Sequence, residues 1–97
     1  MKVRLTKRAV RDLVGISDYI AQHSPAAANR VSRSILKSVE TLALFPRVGS
    51  RQNIPGVRKL VTRQYSYLVY YVIDDANSEV QVLAIQHPSR QREFSDL

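Results

Sequence analysis

A chain of 97 residues, 44% hydrophobic and 24% charged, has the composition of one ordinary globular domain and is too short for two separate cores. It has no cysteine, which excludes disulfides and thiolate zinc sites, and its two histidines, His23 and His87, stand too far apart in sequence to suggest a metal centre; no cofactor is expected. A net charge of +7, from 15 Lys and Arg against 8 Asp and Glu, suits nucleic acid, a ribosome or an acidic protein as partner.

The opening MKVRLTKRAVRDLVG carries charges every few residues without the apolar stretch of a leader. No run approaches the roughly 18 apolar residues of a membrane span, so the cytoplasm is the expected location and no membrane partner is expected. Within that opening, residues 2–5 (KVRL) alternate polar and apolar and predict a short strand. Thr6 offers a hydroxyl cap to a first helix, in which Ala9, Leu13, Ile16 and Ile20 recur on one stripe. Gly15 interrupts that helix at about 1 kcal/mol relative to alanine. Ser24-Pro25 marks a second helix, with Ala28, Val31, Ile35, Val39, Leu42 and Phe45 as its apolar face and Pro46 as its limit. The short link around His23 predicts an antiparallel helical hairpin.

PRVGSRQNIPG, residues 46–56, reads as a loop. Strands are then expected at 57–61 (VRKLV), 65–74 (YSYLVYYVID) and 79–87 (EVQVLAIQH), the last two joined by a turn. The order β-α-α-β-β-β predicts an α+β fold: a helical hairpin packed on a small, mainly antiparallel sheet. The tyrosine-rich strand is apolar on both faces, with Tyr65, Tyr67, Val69, Tyr71 and Ile73 on one and Leu68, Tyr70 and Val72 on the other, so it belongs in the middle. From Thr41 to Ile73 there is no acidic residue, yet Arg47, Arg51, Arg58, Lys59 and Arg63 all fall there; each alone reads as part of a solvated face, whereas the block as a whole reads at least as well as a binding surface.

No nucleophile, paired-carboxylate or phosphate-loop motif stands out. His87, expected on the face of Leu83 and Ile85 and followed by Pro88, Ser89 and Arg90, has two readings. It could serve as an acid or base in RNA cleavage, or it could close the sheet by hydrogen-bonding a loop; a lone histidine without a visible partner favours the second.

LFPRVGS, then PGVRKL, then Tyr-x-Tyr-Leu-Val-Tyr-Tyr-Val-Ile-Asp and VQVLAIQHPSR, in this order across the whole chain, resemble the RelE/ParE superfamily of toxins from bacterial type II toxin–antitoxin systems, and the ParE branch most closely. The resemblance implies one toxin domain over residues 1–97, with two antiparallel helices on a twisted sheet. It also implies growth arrest and neutralisation by a ParD-like antitoxin with an acidic C-terminal segment. ParE-like members poison DNA gyrase, whereas RelE-like members cleave mRNA in the ribosome. Where the nuclease branch has an arginine before the Leu-Val-Tyr run, this chain has Tyr67. Its later basic residue falls on or near Pro88 and its C-terminal tyrosine near Phe94.

The resemblance thus implies gyrase inhibition first. A ribosome-dependent endonuclease using Arg58, Arg63, His87 and Arg90, or an inactive toxin-like binding module, is the alternative. The surface expected to meet antitoxin or target comprises Arg58, Lys59, Arg63, Tyr67, Tyr70, His87, Arg90 and Arg92.

Overall fold

The computed structural model describes residues 1–89. Strand β1 (Lys2–Leu5) leads into helices α1 (Lys7–Ala21) and α2 (Pro25–Glu40). A 3₁₀ turn, Thr41–Ala43, ends the hairpin, and strands β2 (Ser50–Arg51), β3 (Val57–Val61), β4 (Leu68–Asp74) and β5 (Glu79–Gln86) follow. The five strands lie in the order β1-β5-β4-β3-β2; β1 runs parallel to β5 and the other pairs are antiparallel. The tyrosine strand β4 is the central one, as its two apolar faces predict.

Both helix starts follow from their caps. Thr6 Oγ1 accepts the Ala9 N–H at 3.2 Å, and Ser24 Oγ accepts that of Ala27 at 3.1 Å, each satisfying a donor that the helix itself leaves free. The stripes then bury against the sheet. Ala9, Val31, Ile35, Val39 and Leu42 form one core with Tyr67, Val69, Tyr71, Val80, Val82 and Ile85, and Leu13, Ile16 and Ile20 pack on it. Phe45, expected to continue the stripe, is instead 62% exposed: the α-helix gives way to the 3₁₀ turn after Glu40, so the 3.6-residue period no longer points position 45 inward.

A second, smaller cluster of Val57, Leu68, Tyr70 and Ala84 occupies the other face of the sheet, with Ile54, Val72 and Leu83 against it. The register between β4 and β5 jumps from Tyr70↔Ala84 to Tyr71↔Val82, leaving Leu83 as an extra residue. This bulge corrects the face expected for Leu83. It belongs to the second cluster, whereas Ile85 packs in the helix-side core and the His87 ring meets Tyr67 of that same core. The loop before β3 also contains β2, which pairs Ser50 with Lys59 and Arg51 with Arg58. The strand expected from Tyr65 starts only at Leu68, because Tyr65 and Ser66 have left-handed backbone (φ 66° and 54°). None of the described helices is long and apolar enough to cross a membrane.

Burial raises the phenol pKa of Tyr67, Tyr70 and Tyr71 above the ordinary 10.0; at Tyr71 the Gly49 N–H and the Arg58 charge oppose the rise. The folded chain therefore holds these protons more tightly than the unfolded one. Their contribution to stability is complete below pH ~10 and is lost as the pH climbs through the raised values. Denaturant melts at increasing pH should show constant tyrosine-linked stability up to that point and a steep fall beyond it. Phenolate absorbance of these three should appear together with unfolding, and their ionisation in the still-folded protein would contradict the burial.

Candidate functional site

The outer edge of β5 changes neighbour halfway along. β1 pairs with it from Glu79 to Val82, and the Thr6 N–H donates to the Val82 carbonyl at 3.0 Å. Beyond that point α1 takes over. The Thr6 hydroxyl donates to the Leu83 carbonyl at 3.2 Å, and the Asp12 carboxylate accepts the Ile85 N–H at 3.0 Å. Backbone groups that a strand edge would leave unpaired are thus satisfied by helix side chains. Asp12 also faces Arg8 at 3.8 Å, one helical turn back.

Held this way, α1 overhangs the end of β5 and leaves a cleft of about 580 Å³. Arg8, Arg11, Gly15 and Tyr19 line the helix side, and Tyr67 and His87 line the sheet side. Tyr19 is 69% exposed, and a Cβ built on Gly15 would meet nothing within 4 Å. No packing contact among the described residues demands a glycine there, and its lack of a side chain keeps the helix surface low beside two arginines and a tyrosine.

His87 packs edge-on against Tyr67, ring centroids 5.5 Å apart. Its Nδ1 accepts the Ser89 backbone N–H at 3.1 Å and lies 2.8 Å from the Ser89 hydroxyl. A backbone N–H can only donate, so Nδ1 is the unprotonated nitrogen and the neutral ring carries its proton on Nε2. The imidazole thereby closes the His-Pro-Ser turn after β5.

The remaining expected residues do not gather around it. Arg58 Nη1 donates to the Gly49 carbonyl at 2.8 Å and the Arg47 carbonyl at 3.2 Å, so this guanidinium holds the 46–49 loop. Beside it the Tyr71 hydroxyl donates to the Pro46 carbonyl at 2.7 Å and accepts the Gly49 N–H at 2.9 Å. Lys59 is paired with Tyr70 across β3 and β4. Arg63 lines a different cleft, against α2. Arg90 and Arg92 lie outside the described residues, as does Phe94.

The expectation that Tyr70 meets a partner needs correcting: it is fully buried in the second cluster, because the central strand is buried on both faces. Tyr67 is 6% exposed, with its ring given to the core and to His87. Sequence reading missed Arg8, Arg11, Asp12 and Tyr19. Their signal was present, since Arg8, Asp12, Gly15 and Tyr19 recur at spacings of four, three and four beside the apolar stripe.

Residues 3–92 match the family described as the ParE toxin of the type II toxin–antitoxin system parDE. Toxin RelE2 of Caulobacter vibrioides is 36% identical over 85 residues, which is 88% of this chain and 92% of that protein. The chromosomal ParDE system of P. aeruginosa contains a chain that superimposes with a TM-score of 0.77 at 26% identity, over 90% of this chain and 95% of that one. The RelBE2 toxin–antitoxin complex of Mycobacterium tuberculosis gives 0.63 at 28% identity, over 89% and 95%. With a family match spanning nearly its whole described length and a helical hairpin on a five-stranded sheet shared with these structures, the chain belongs to the ParE toxin family of type II toxin–antitoxin systems.

Proposed function

We propose that this toxin arrests bacterial growth by inhibiting DNA gyrase, and that a cognate antitoxin with an acidic C-terminal segment neutralises it. The observation that carries the choice of target is the employment of Arg58 and His87. Cleavage of RNA needs cations and an acid or base converging on one phosphate. Here the guanidinium of Arg58 is bound to two loop carbonyls, and His87 Nδ1 is bound to its own turn. Arg63 stands in a separate cleft from His87. Against that, Tyr19, Leu44 and Phe45 are 69%, 77% and 62% exposed, a composition suited to a protein target rather than to a phosphodiester. Fold alone does not choose between targets in this superfamily.

The variant His87→Ala tests the choice. Loss of a general base lowers a rate roughly 10²–10⁴-fold, so a nuclease relying on His87 would be silenced. Induced without antitoxin, His87→Ala should still stop growth, with relaxed plasmid DNA and intact mRNA. Loss of arrest, together with mRNA cut at codon-spaced positions by the unaltered toxin, would replace this reading with ribosome-dependent cleavage.

A further inference from the structure

Between the helical hairpin and β2 the chain turns three apolar side chains toward solvent. Leu44, Phe45 and Val48 are 77%, 62% and 59% exposed. Phe45 and Val48 stand beside Pro46 around a shallow depression of about 450 Å³. Burying any of them would be favourable, yet the backbone that carries them is fixed from several sides. The Phe45 N–H donates to the Thr41 carbonyl at 2.9 Å, and the Val48 N–H donates to the Phe45 carbonyl at 3.2 Å. The hydroxyl of the fully buried Tyr71 donates to the Pro46 carbonyl at 2.7 Å and accepts the Gly49 N–H at 2.9 Å. Arg58 Nη1 donates to the carbonyls of Arg47 and Gly49 at 3.2 and 2.8 Å. The carbonyls of Phe45, Pro46, Arg47 and Gly49 are thus all engaged. A loose loop would let its apolar side chains collapse onto the domain, and this one is held so that they stay outside. Rigidity without burial is what a preformed contact surface needs, since its ordering is complete before a partner arrives.

Charge and size decide what covers it. Arg47 is the only charged residue from Leu44 to Gly49, and its Nη2 already donates to both carboxylate oxygens of Asp75 at 3.2 Å. Arg58 is turned to the loop carbonyls. The loop therefore offers apolar contact without a free cation of its own. That is a poor match for the acidic segment expected of an antitoxin, and for a phosphate backbone. Exposed side chains of this kind supply on the order of 100 Å² each, about 300 Å² together, against roughly 800 Å² per partner in a stable interface. A second copy meeting this patch with its own equivalent patch falls short of a stable dimer. A leucine and a phenylalanine entering a pocket of a larger protein need no such area of their own, because a few desolvated anchors carry most of the energy of an interface.

We propose that the Leu44–Val48 loop is the anchor by which the toxin grips its protein target, with Leu44 and Phe45 entering an apolar pocket of that protein. The proposal rests on the reading of gyrase as the target.

The test is a titration of gyrase supercoiling with full-length toxin separated from its antitoxin, run beside calorimetry of antitoxin binding. Phe45→Ser and the double variant Leu44→Ser/Phe45→Ser replace solvent-facing side chains, so both should melt within a few degrees of the unaltered toxin. Both should also bind antitoxin with unaltered affinity. Half-inhibition of supercoiling should need about 30-fold more of Phe45→Ser, the change expected on losing an interface anchor, and still more of the double variant. Phe45→Leu keeps an apolar anchor and should recover most of the inhibition. Serine variants that inhibit at the same concentration as the unaltered toxin would overturn the proposal and leave the gyrase reading standing. Antitoxin affinity lost while inhibition is retained would place the loop under the antitoxin and overturn it too. A toxin dimer that the serine variants dissolve would assign the loop to a second copy, with the same force. Unaltered toxin that fails to inhibit gyrase would overturn the gyrase reading and the proposal together.

Discussion

Gly49→Ala is expected to destabilise the toxin by about 2–3 kcal/mol, the upper part of the range for overpacking a well-filled site. A Cβ at this position would lie 2.6 Å from the Tyr71 hydroxyl, 2.8 Å from its ring and 2.8 Å from the Lys59 carbonyl. Two of these are on a ring that cannot retreat cheaply. The Tyr71 hydroxyl holds both the Pro46 carbonyl and the Gly49 N–H, and the third contact is backbone of β3. Gly49 is therefore required for close approach, which lets the loop lie flat on the central strand while Arg58 holds its carbonyl from the other side. For a domain of this size each kcal/mol moves the melting temperature by about 4–8 °C, so a thermal melt should show a drop of roughly 10 °C or more. Tyr71→Phe breaks the same clamp by removing both bonds, at about 1–3 kcal/mol for the buried groups left unpaired. The double variant should be less destabilised than the sum, since phenylalanine also removes the atom nearest the new methyl. An unchanged melting temperature for Gly49→Ala would mean that the loop does not pack as described.

Asp12→Ala should produce the next largest loss, about 1.5–3 kcal/mol, the range for a hydrogen bond to a charged group. Its carboxylate is the partner of the Ile85 N–H, at a point where β1 no longer covers β5, and Arg8 is the cation beside it. Alanine leaves that amide unpaired and loosens α1 over the very cleft that Arg8, Arg11 and Tyr19 line. Asp12→Asn keeps an acceptor oxygen and should recover most of the stability while losing the charge. Amide hydrogen exchange gives a local reading: the Ile85 N–H should exchange much faster in the alanine variant and only slightly faster in the asparagine one. Equal protection in all three would remove Asp12 from this role.

Much of the architecture was legible because its signals are local. Thr6 and Ser24-Pro25 announce the helix starts, the three- and four-residue spacings announce the buried faces, and two-sided apolarity places β4 centrally. What escaped depends on contacts distant in sequence, or on turns without their usual residues. Ser50-Arg51 is too short to show alternation, and it becomes a strand only by pairing with Lys59 and Arg58. Residues 62–67, Thr-Arg-Gln-Tyr-Ser-Tyr, contain no glycine, proline or asparagine, so nothing in them signals that Tyr65 and Ser66 turn left-handed. The extra residue at Leu83 shows no mark in an apolar run. At the site the limitation is sharper. A basic residue next to a tyrosine strand reads as free charge, and only the loop carbonyls 9 to 11 positions away show that Arg58 is occupied. Tyr70 and Tyr71 are neighbours of the same type, yet one is enclosed in the second face and the other clamps a loop from the first.

The most direct measurement is gyrase supercoiling and DNA cleavage with full-length toxin separated from its antitoxin. Supercoiling should be lost and cleaved DNA should accumulate, an effect reversed by antitoxin and retained by His87→Ala. Unimpaired gyrase in the presence of toxin that still arrests growth would contradict the gyrase reading and direct attention to translating ribosomes.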